Sequence, residues 1–214
     1  MIQTTRWWWV RHAKALGHDG RVYGSTIDVA VDTENPAPFR ALAEHLPQNA
    51  VLVRTALRRT KQTADAICAQ GFQPACAHIA KTMGELSFGD WQGLTYEKIR
   101  DISGGHPVWF TPLDVTPPNG ESFFQMRARV IAGIEKLTGK YAGRDIVSIS
   151  HGGPIRAAIG HALGLTPERS VYFRIENLSL TQMEFRHDAD PKNGSWHVGC
   201  VNKKPDALSH HGVP

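Results

Sequence analysis

Cysteine is scarce in this chain: three among 214 residues, Cys68, Cys76 and Cys200. They form no CxxC pair, and an odd number cannot close into a disulfide framework. The pattern points to a reducing compartment in which all three behave as small buried residues of a core. Long apolar runs are also missing, since no segment approaches the roughly 20 apolar residues that span a bilayer. The N-terminal stretch meets Arg11 and His12 before an apolar signal core develops, so it does not read as a secretory signal. A cytoplasmic protein with no membrane partner is expected. A strong charge excess is lacking too: 24 Lys and Arg against 20 Asp and Glu give a formal charge of +4. Arg58-Arg59-Thr60-Lys61 is the one short basic cluster, too little for a nucleic-acid partner. The 11 histidines show no HxH or HxxxH spacing on a predicted helix, so no metal site is expected.

What is present is an alternation of strand-length apolar runs with helix-period segments. That pattern predicts an α/β fold: a three-layer, open, mostly parallel sheet with helices on both faces. Strands are expected at Arg6–Val10, Ala50–Arg54, Ala75–Ile79, Asp145–Ile149, Val171–Ile175, Ser179–Phe185 and Ser195–Val201. The first, second and fourth are apolar without alternation, as central strands covered on both faces should be. Helices are expected at Pro36–Leu46, Arg58–Ala69, Thr95–Ile102, Ser122–Tyr141 and Pro154–Leu163. In the fourth helix Phe123, Met126, Val130, Ile134, Leu137 and Tyr141 define one buried stripe, and Gly120-Glu121-Ser122 supplies its cap. Trp7-Trp8-Trp9 reads as core. The oligomeric state stays open, with a homodimer among the options. Ser103–Gly120 reads as a surface excursion that could act as a lid. One domain is expected over 1–201, with a flexible tail over 202–214.

Three predicted strands end in unusual residues. Arg6–Val10 runs into Arg11-His12-Ala13, Ala50–Arg54 into Thr55-Ala56-Leu57-Arg58-Arg59, and Asp145–Ile149 into Ser150-His151-Gly152-Gly153. Ligands of open α/β sheets bind beyond the carboxyl ends of the strands, and helix N-termini there add backbone donors. Two histidines and several arginines at such ends suit a phosphate. Neutral imidazole is a competent nucleophile near pH 7, provided its second nitrogen donates to an acceptor that fixes the tautomer. His12 is the candidate, and the sequence does not identify the acceptor. Arg11 and either Arg58 or Arg59 would grip phosphoryl oxygens with planar forks. His151 reads as a further phosphate donor, Gly152 as backbone that approaches the ligand, and Arg156 as either a salt-bridge former or a support to the site. A leaving oxygen needs a proton, and a carboxylic acid beside a phosphate anion can hold one. Glu85 is the first candidate and Asp90 the second, both in Gly84-Glu85-Leu86-Ser87-Phe88-Gly89-Asp90-Trp91-Gln92-Gly93.

Together these four elements resemble the histidine phosphatase superfamily, the phosphoglycerate-mutase-like proteins. Arg11-His12-Ala13 resembles the family's Arg-His-Gly. Thr55 to Ala64 is similar to its SxLxRAxQTA-type segment, which selects Arg59 over Arg58. Glu85 to Gly93 is similar to its ExxFGxWxG loop, and Ser150 to Arg156 to its SHGGxIR segment. The resemblance implies a metal-independent phosphatase without cofactor, with His12 phosphorylated, Glu85 as proton donor, and Arg11, Arg59 and His151 completing the pocket. His18 falls where many members have a phosphate-binding asparagine and is carried as a substrate-binding candidate. Ala13 replaces a glycine, and Thr55-Ala56 replaces Ser-Pro, a change expected to alter loop detail only. The sequence after Glu85 is that of the phosphatase branch, which favours hydrolysis over mutase transfer. Tyr23-Gly24-Ser25-Thr26-Ile27-Asp28 and Gly120-Glu121-Ser122 look like segments of α-ribazole phosphatases, features shared with broad-specificity sugar phosphatases. The implied partner is a small-molecule phosphate ester, α-ribazole phosphate or a sugar phosphate, with Tyr23 in contact. Phosphoglycerate-mutase-type transfer and a non-catalytic phosphate-binding protein are the alternatives.

Overall fold

Runs of apolar residues too short for helices and buried on both faces become strands, and here they pair into one six-stranded sheet. The computed structural model describes residues 3–17, 20–104, 113, 115–188 and 193–208. Strands β1 (Thr4–Arg11), β2 (Val51–Arg54), β3 (Cys76–Ile79) and β4 (Asp145–Ser150) are parallel. β5 (Leu180–His187) runs antiparallel to β1, and β6 (Gly194–Lys203) antiparallel to β5. The spatial order is β3-β2-β4-β1-β5-β6. The three strands predicted as central are therefore neighbours in the interior.

Successive residues of β1 point to opposite faces, which sets the two helical layers. Trp7 and Trp9 pack with Val51, Val53 and Ile146 under α4 (Phe123–Lys140) and α5 (Gly152–Ala162). Trp8 and Val10 pack with Leu52, Val147 and Ile149 under α1 (Ala37–His45) and α2 (Arg58–Ala69). All three indoles belong to the core, Trp7 and Trp9 fully enclosed. Trp7 Nε1 donates to Thr138 Oγ1 and Trp8 Nε1 to Asp145 Oδ1, each at 3.0 Å, whereas the buried Trp9 Nε1 has no hydrogen-bond partner among the described residues. Each buried aliphatic side chain of these layers stabilises the fold by roughly 1.5–3 kcal/mol. The remaining helices are α3 (Tyr96–Ile102) and the short α6 (Pro167–Ser170).

Helix boundaries follow local chemistry. Ser122 caps α4 through a reciprocal box, its hydroxyl accepting from Gln125 N–H and its own N–H donating to Gln125 Oε1. α5 starts at Gly152, two residues before the predicted Pro154. Proline is tolerated there because first-turn N–H groups have no intrahelical acceptor.

Three expectations are corrected. Val171–Ile175 is not a strand. Its backbone carbonyls serve arginine side chains instead of a neighbouring strand, Phe173 O accepting from Arg156 Nε and Ile175 O from Arg11 Nη1. The tail boundary at 201 falls inside β6, which continues to Lys203. A 3-10 turn at Pro205–Ala207 follows, and Leu208 is buried against the α1/α2 layer. The cysteines are not core residues: all are free, Cys68 and Cys200 half-buried, and Cys76 exposed on the edge strand β3. The excursion expected over Ser103–Gly120 lies largely outside the described residues. Among the described residues no helix is long and apolar enough to cross a membrane.

Candidate active site

Parallel register brings the candidate residues to one edge of the sheet. Arg11 stands opposite Ser150 and Arg54 opposite Ile149, so the chain leaves β1, β2 and β4 at the same level. A cavity of about 110 Å³ lies there, lined among others by Arg11, His12, Tyr23, Arg59, Glu85 and Asn177.

His12 is buried, and its Nδ1 lies 2.7 Å from the carbonyl oxygen of Ala13. That oxygen can only accept, so Nδ1 carries the proton and Nε2 keeps its lone pair. Burial, reinforced by the charges of Arg59 and Arg11, pushes the imidazole pKa down to about 3. Ala13 is itself held: its N–H donates to Thr63 Oγ1 at 2.9 Å, and its φ is not positive, so alanine fits this turn without strain. Asn177 Nδ2 donates to the His12 carbonyl oxygen at 2.7 Å.

Arg59 is buried at the start of α2, while its neighbour Arg58 is exposed. Its Nη2 donates to Gly24 O at 2.6 Å, Nη1 to Ile27 O at 3.2 Å, and Nε to His151 Nδ1 at 3.2 Å. The loop carrying those carbonyls is fixed by Gln92, whose Oε1 accepts from Ser25 and Thr26 N–H. Gly24 has φ +55, and a Cβ there would collide with the Gln92 side chain, so only glycine fits.

His151 is fully buried, 5.3 Å from His12 between ring centroids. Because Nδ1 accepts from Arg59, Nε2 carries the proton and donates to Thr55 Oγ1 at 3.1 Å. The ring has no N–H to spare for an anion in this arrangement and stands behind Arg59. Thr55, expected to affect loop detail only, therefore holds a site histidine directly. Burial first, then the charge of Arg59, lowers the His151 pKa well below the ordinary histidine value.

Glu85 is buried at the cavity wall, with Oε1 accepting from Leu86 N–H at 3.0 Å. Its segment is clamped by Arg129 of α4, which donates to the carbonyl oxygens of Thr82, Gly84 and Glu85. Glu121 fixes Arg129 through both carboxylate oxygens, at 2.8 and 2.5 Å. Asp90, the second candidate acid, is exposed and accepts from Asn119 Nδ2, away from the cavity.

The electrostatics favour an anion. Burial lowers the pKa of Arg11, Arg59 and Arg156, with Glu85 the main opposing charge on each. Guanidiniums remain charged, so three of them face one carboxylate in a desolvated site. Arg11 Nε is buried and has no hydrogen-bond partner among the described residues. Gly152 opens α5 beside these heads: a Cβ there would stand 3.2 Å from Arg156 Nη1 and 3.9 Å from Arg11 Nε. Arg156 Nε donates to Phe173 O at 2.8 Å.

The structure thus brings together Arg11, His12, Tyr23, Arg59, Glu85, His151 and Gly152. His18 lies outside the described residues. Reasoning from sequence missed Asn177, whose contact with His12 spans 165 positions, and the Arg129–Glu121 clamp, which resembled ordinary helix-surface charge. Among the described residues no three His, Cys, Asp or Glu side chains cluster as metal ligands.

The model of the histidine phosphatase superfamily, branch 1, matches residues 7–195. The chain belongs to this superfamily. As a histidine phosphatase superfamily member it is 27% identical over 188 residues to 2,3-bisphosphoglycerate-dependent phosphoglycerate mutase 2 of Gloeobacter violaceus, covering 85% of each chain. A 2,3-bisphosphoglycerate-dependent phosphoglycerate mutase of Pseudoalteromonas atlantica aligns over 106 residues at 28% identity and a Mycobacterium bovis protein over 120 residues at 30%, and the chain spans 47% and 32% of their lengths. Among solved structures, a mycobacterial glucosyl-3-phosphoglycerate phosphatase superposes with a TM-score of 0.77 at 24% identity, covering 94% of this chain and 100% of that one. An Escherichia coli protein, provisionally assigned as an alpha-ribazole-5'-P phosphatase, gives 0.76 at 20% identity over 93% and 96% of the two chains. At these identities the superpositions establish the superfamily fold.

Proposed function

We propose that this chain is a phosphomonoesterase that hydrolyses a small phosphorylated metabolite through a phosphohistidine at His12, without a metal ion. The observation that carries the reading is the His12–Ala13 contact, which keeps the proton on Nδ1 and leaves the Nε2 lone pair unprotonated in the cavity shared with Arg11, Arg59 and Glu85. In the first step the Nε2 lone pair forms the N–P bond while the ester P–O bond breaks. The departing oxygen takes its proton from the Glu85 carboxylic acid. Water then attacks phosphorus, the Glu85 carboxylate takes up its proton, and the N–P bond returns its electron pair to Nε2. Arg11 and Arg59 neutralise the equatorial oxygens, which supplies most of the catalysis in a metaphosphate-like transfer. His151 acts by holding the Arg59 guanidinium.

The short segment from Glu85 into the 3-10 turn Gly89–Trp91 supports hydrolysis over mutase transfer. A sugar phosphate or α-ribazole phosphate suits the aromatic rim of Tyr23 and Tyr96. The alignment with a mutase over most of both chains favours a second reading, phosphoryl transfer within phosphoglycerate. Purified protein should release phosphate from p-nitrophenyl phosphate in the presence of a chelator and form an acid-labile phosphoprotein on rapid quenching. His12→Ala should abolish both, and hydrolysis surviving in that variant would overturn the reading. Isomerised phosphoglycerate without free phosphate would favour the mutase. A panel of esters containing α-ribazole phosphate and sugar phosphates then ranks the leaving groups.

A further inference from the structure

A second cavity, of about 590 Å³, adjoins the first and shares Arg11, Lys14 and Asn177 with it. Its other walls are Arg156, Arg174, Ile175, Glu176 and Lys204, so five cationic side chains surround a single carboxylate. Glu176 is too little to neutralise them. One of its oxygens accepts from Arg174 Nη2 and the other from Lys204 Nζ, each at 2.8 Å. One negative charge therefore holds two positive heads in place and leaves the wall cationic.

The wall is anchored to the same backbone that holds His12. Glu176 N–H donates to Asn202 Oδ1 at 2.6 Å, and the next residue, Asn177, donates to the His12 carbonyl oxygen. On the shared side, Arg11 and Arg156 crowd the same face of Gly152. Glu85 is the main opposing charge on both from the side of the first cavity, and planar guanidiniums match carboxylate and phosphate oxygens in pairs. Arg174 and Lys204 are largely exposed, so an incoming group reaches them from solvent.

We propose that this groove binds a second anionic group, a carboxylate or a phosphate, carried by the same substrate whose phosphoryl group enters the pocket at His12. The first anchor of that two-point grip rests on the phosphatase reading above. The preferred substrates are then phosphate esters bearing another negative charge, and Arg174 and Lys204 set that preference.

The test compares phosphogluconate with the phosphorylated alditol that has a hydroxymethyl group in place of its carboxylate. kcat/KM is measured for the wild-type chain and for the double variant Arg174→Ala, Lys204→Ala. Binding of both compounds is measured by calorimetry on His12→Asn protein with and without the two groove substitutions. The wild-type groove should favour the carboxylate compound about tenfold, equivalent to about 1.4 kcal/mol, and added salt should shrink that ratio. In the double variant the ratio should fall towards one. Equal values for the two compounds in the wild-type groove, or a ratio that survives the double substitution, would overturn the proposal. So would tighter alditol binding on addition of free acetate, which would assign the groove to an independent anion. If the binding preference is present but the wild-type chain releases no phosphate, the groove stands and the phosphatase reading fails.

Discussion

Gly153 lies directly against Glu85: a Cβ built on that glycine would stand 2.5 Å from Glu85 Oε1. The second residue of α5 thus shapes the position of the carboxyl group that faces the cavity. Gly153→Ala should fold, because alanine suits a helix and the crowded atom ends a flexible side chain. The displaced carboxyl should protonate alkoxides poorly. We expect kcat for alkyl phosphates to fall by about a hundredfold or more, the scale of general acid catalysis. p-Nitrophenyl phosphate, whose leaving group needs no proton, should lose far less. Equal losses on both substrates would remove Glu85 from the role of acid.

The low pKa of His12 has a kinetic and a thermodynamic consequence. Kinetically, kcat/KM should keep its nucleophile deprotonated well below the ordinary histidine value of 6.5, with the His12 limb near pH 3. Thermodynamically, between those two values the unfolded chain binds a proton that the folded chain does not. Stability therefore rises with pH across that interval, by at most about 1.4 kcal/mol per pH unit for each such histidine. His151 is displaced in the same direction. Urea denaturation followed against pH should show this slope, and His12→Gln should reduce it. A profile no flatter in His12→Gln would contradict a neutral buried imidazole.

Thr55 tests the support beneath the pocket. Thr55→Val keeps the shape but removes the oxygen that accepts from His151 Nε2. A buried N–H left without a partner costs about 1–3 kcal/mol. Thermal unfolding should reveal that loss, accompanied by a lower kcat as Arg59 loses its orientation, while Thr55→Ser should restore both. Parallel behaviour of the valine and serine variants would show the hydroxyl to be irrelevant.

Arg129 tests the support behind the acid. Its fork reaches three carbonyl oxygens of the Glu85 segment and a carboxylate at once, which a lysine ammonium cannot do. Arg129→Lys should lower kcat on alkyl phosphates by about tenfold or more with little change in inhibition by inorganic phosphate. Weakened phosphate inhibition with kcat intact would place Arg129 in the anion pocket instead.

What the sequence disclosed and what it concealed divide along the range of the interactions. β1, β2 and β4 were readable because an unbroken apolar run bounded by polar residues is a local signal, and α2 has the predicted limits Arg58–Ala69. The choice of Arg59 over Arg58 was readable from motif alignment, and burial of only the former agrees with it. Asn177 was concealed because the segment before it imitates a strand, with Val171, Phe173 and Ile175 alternating. Its carbonyls are instead committed to Arg11 and Arg156 across the fold. The tautomer of His12 was equally hidden, since its acceptor is a backbone oxygen and carries no residue-type signature.

The first strand offers one more use. Trp7 and Trp9 stack with centroids 5.0 Å apart and planes inclined by 13°, on the strand that leads directly into Arg11 and His12. Two indoles so close couple their electronic transitions, and the coupling contributes to the circular dichroism of the aromatic bands in a way that depends on their mutual orientation. That contribution reports the integrity of the root of the strand that leads into His12 with no ligand or turnover required, so an inactive variant can be sorted into a damaged scaffold or a silenced site.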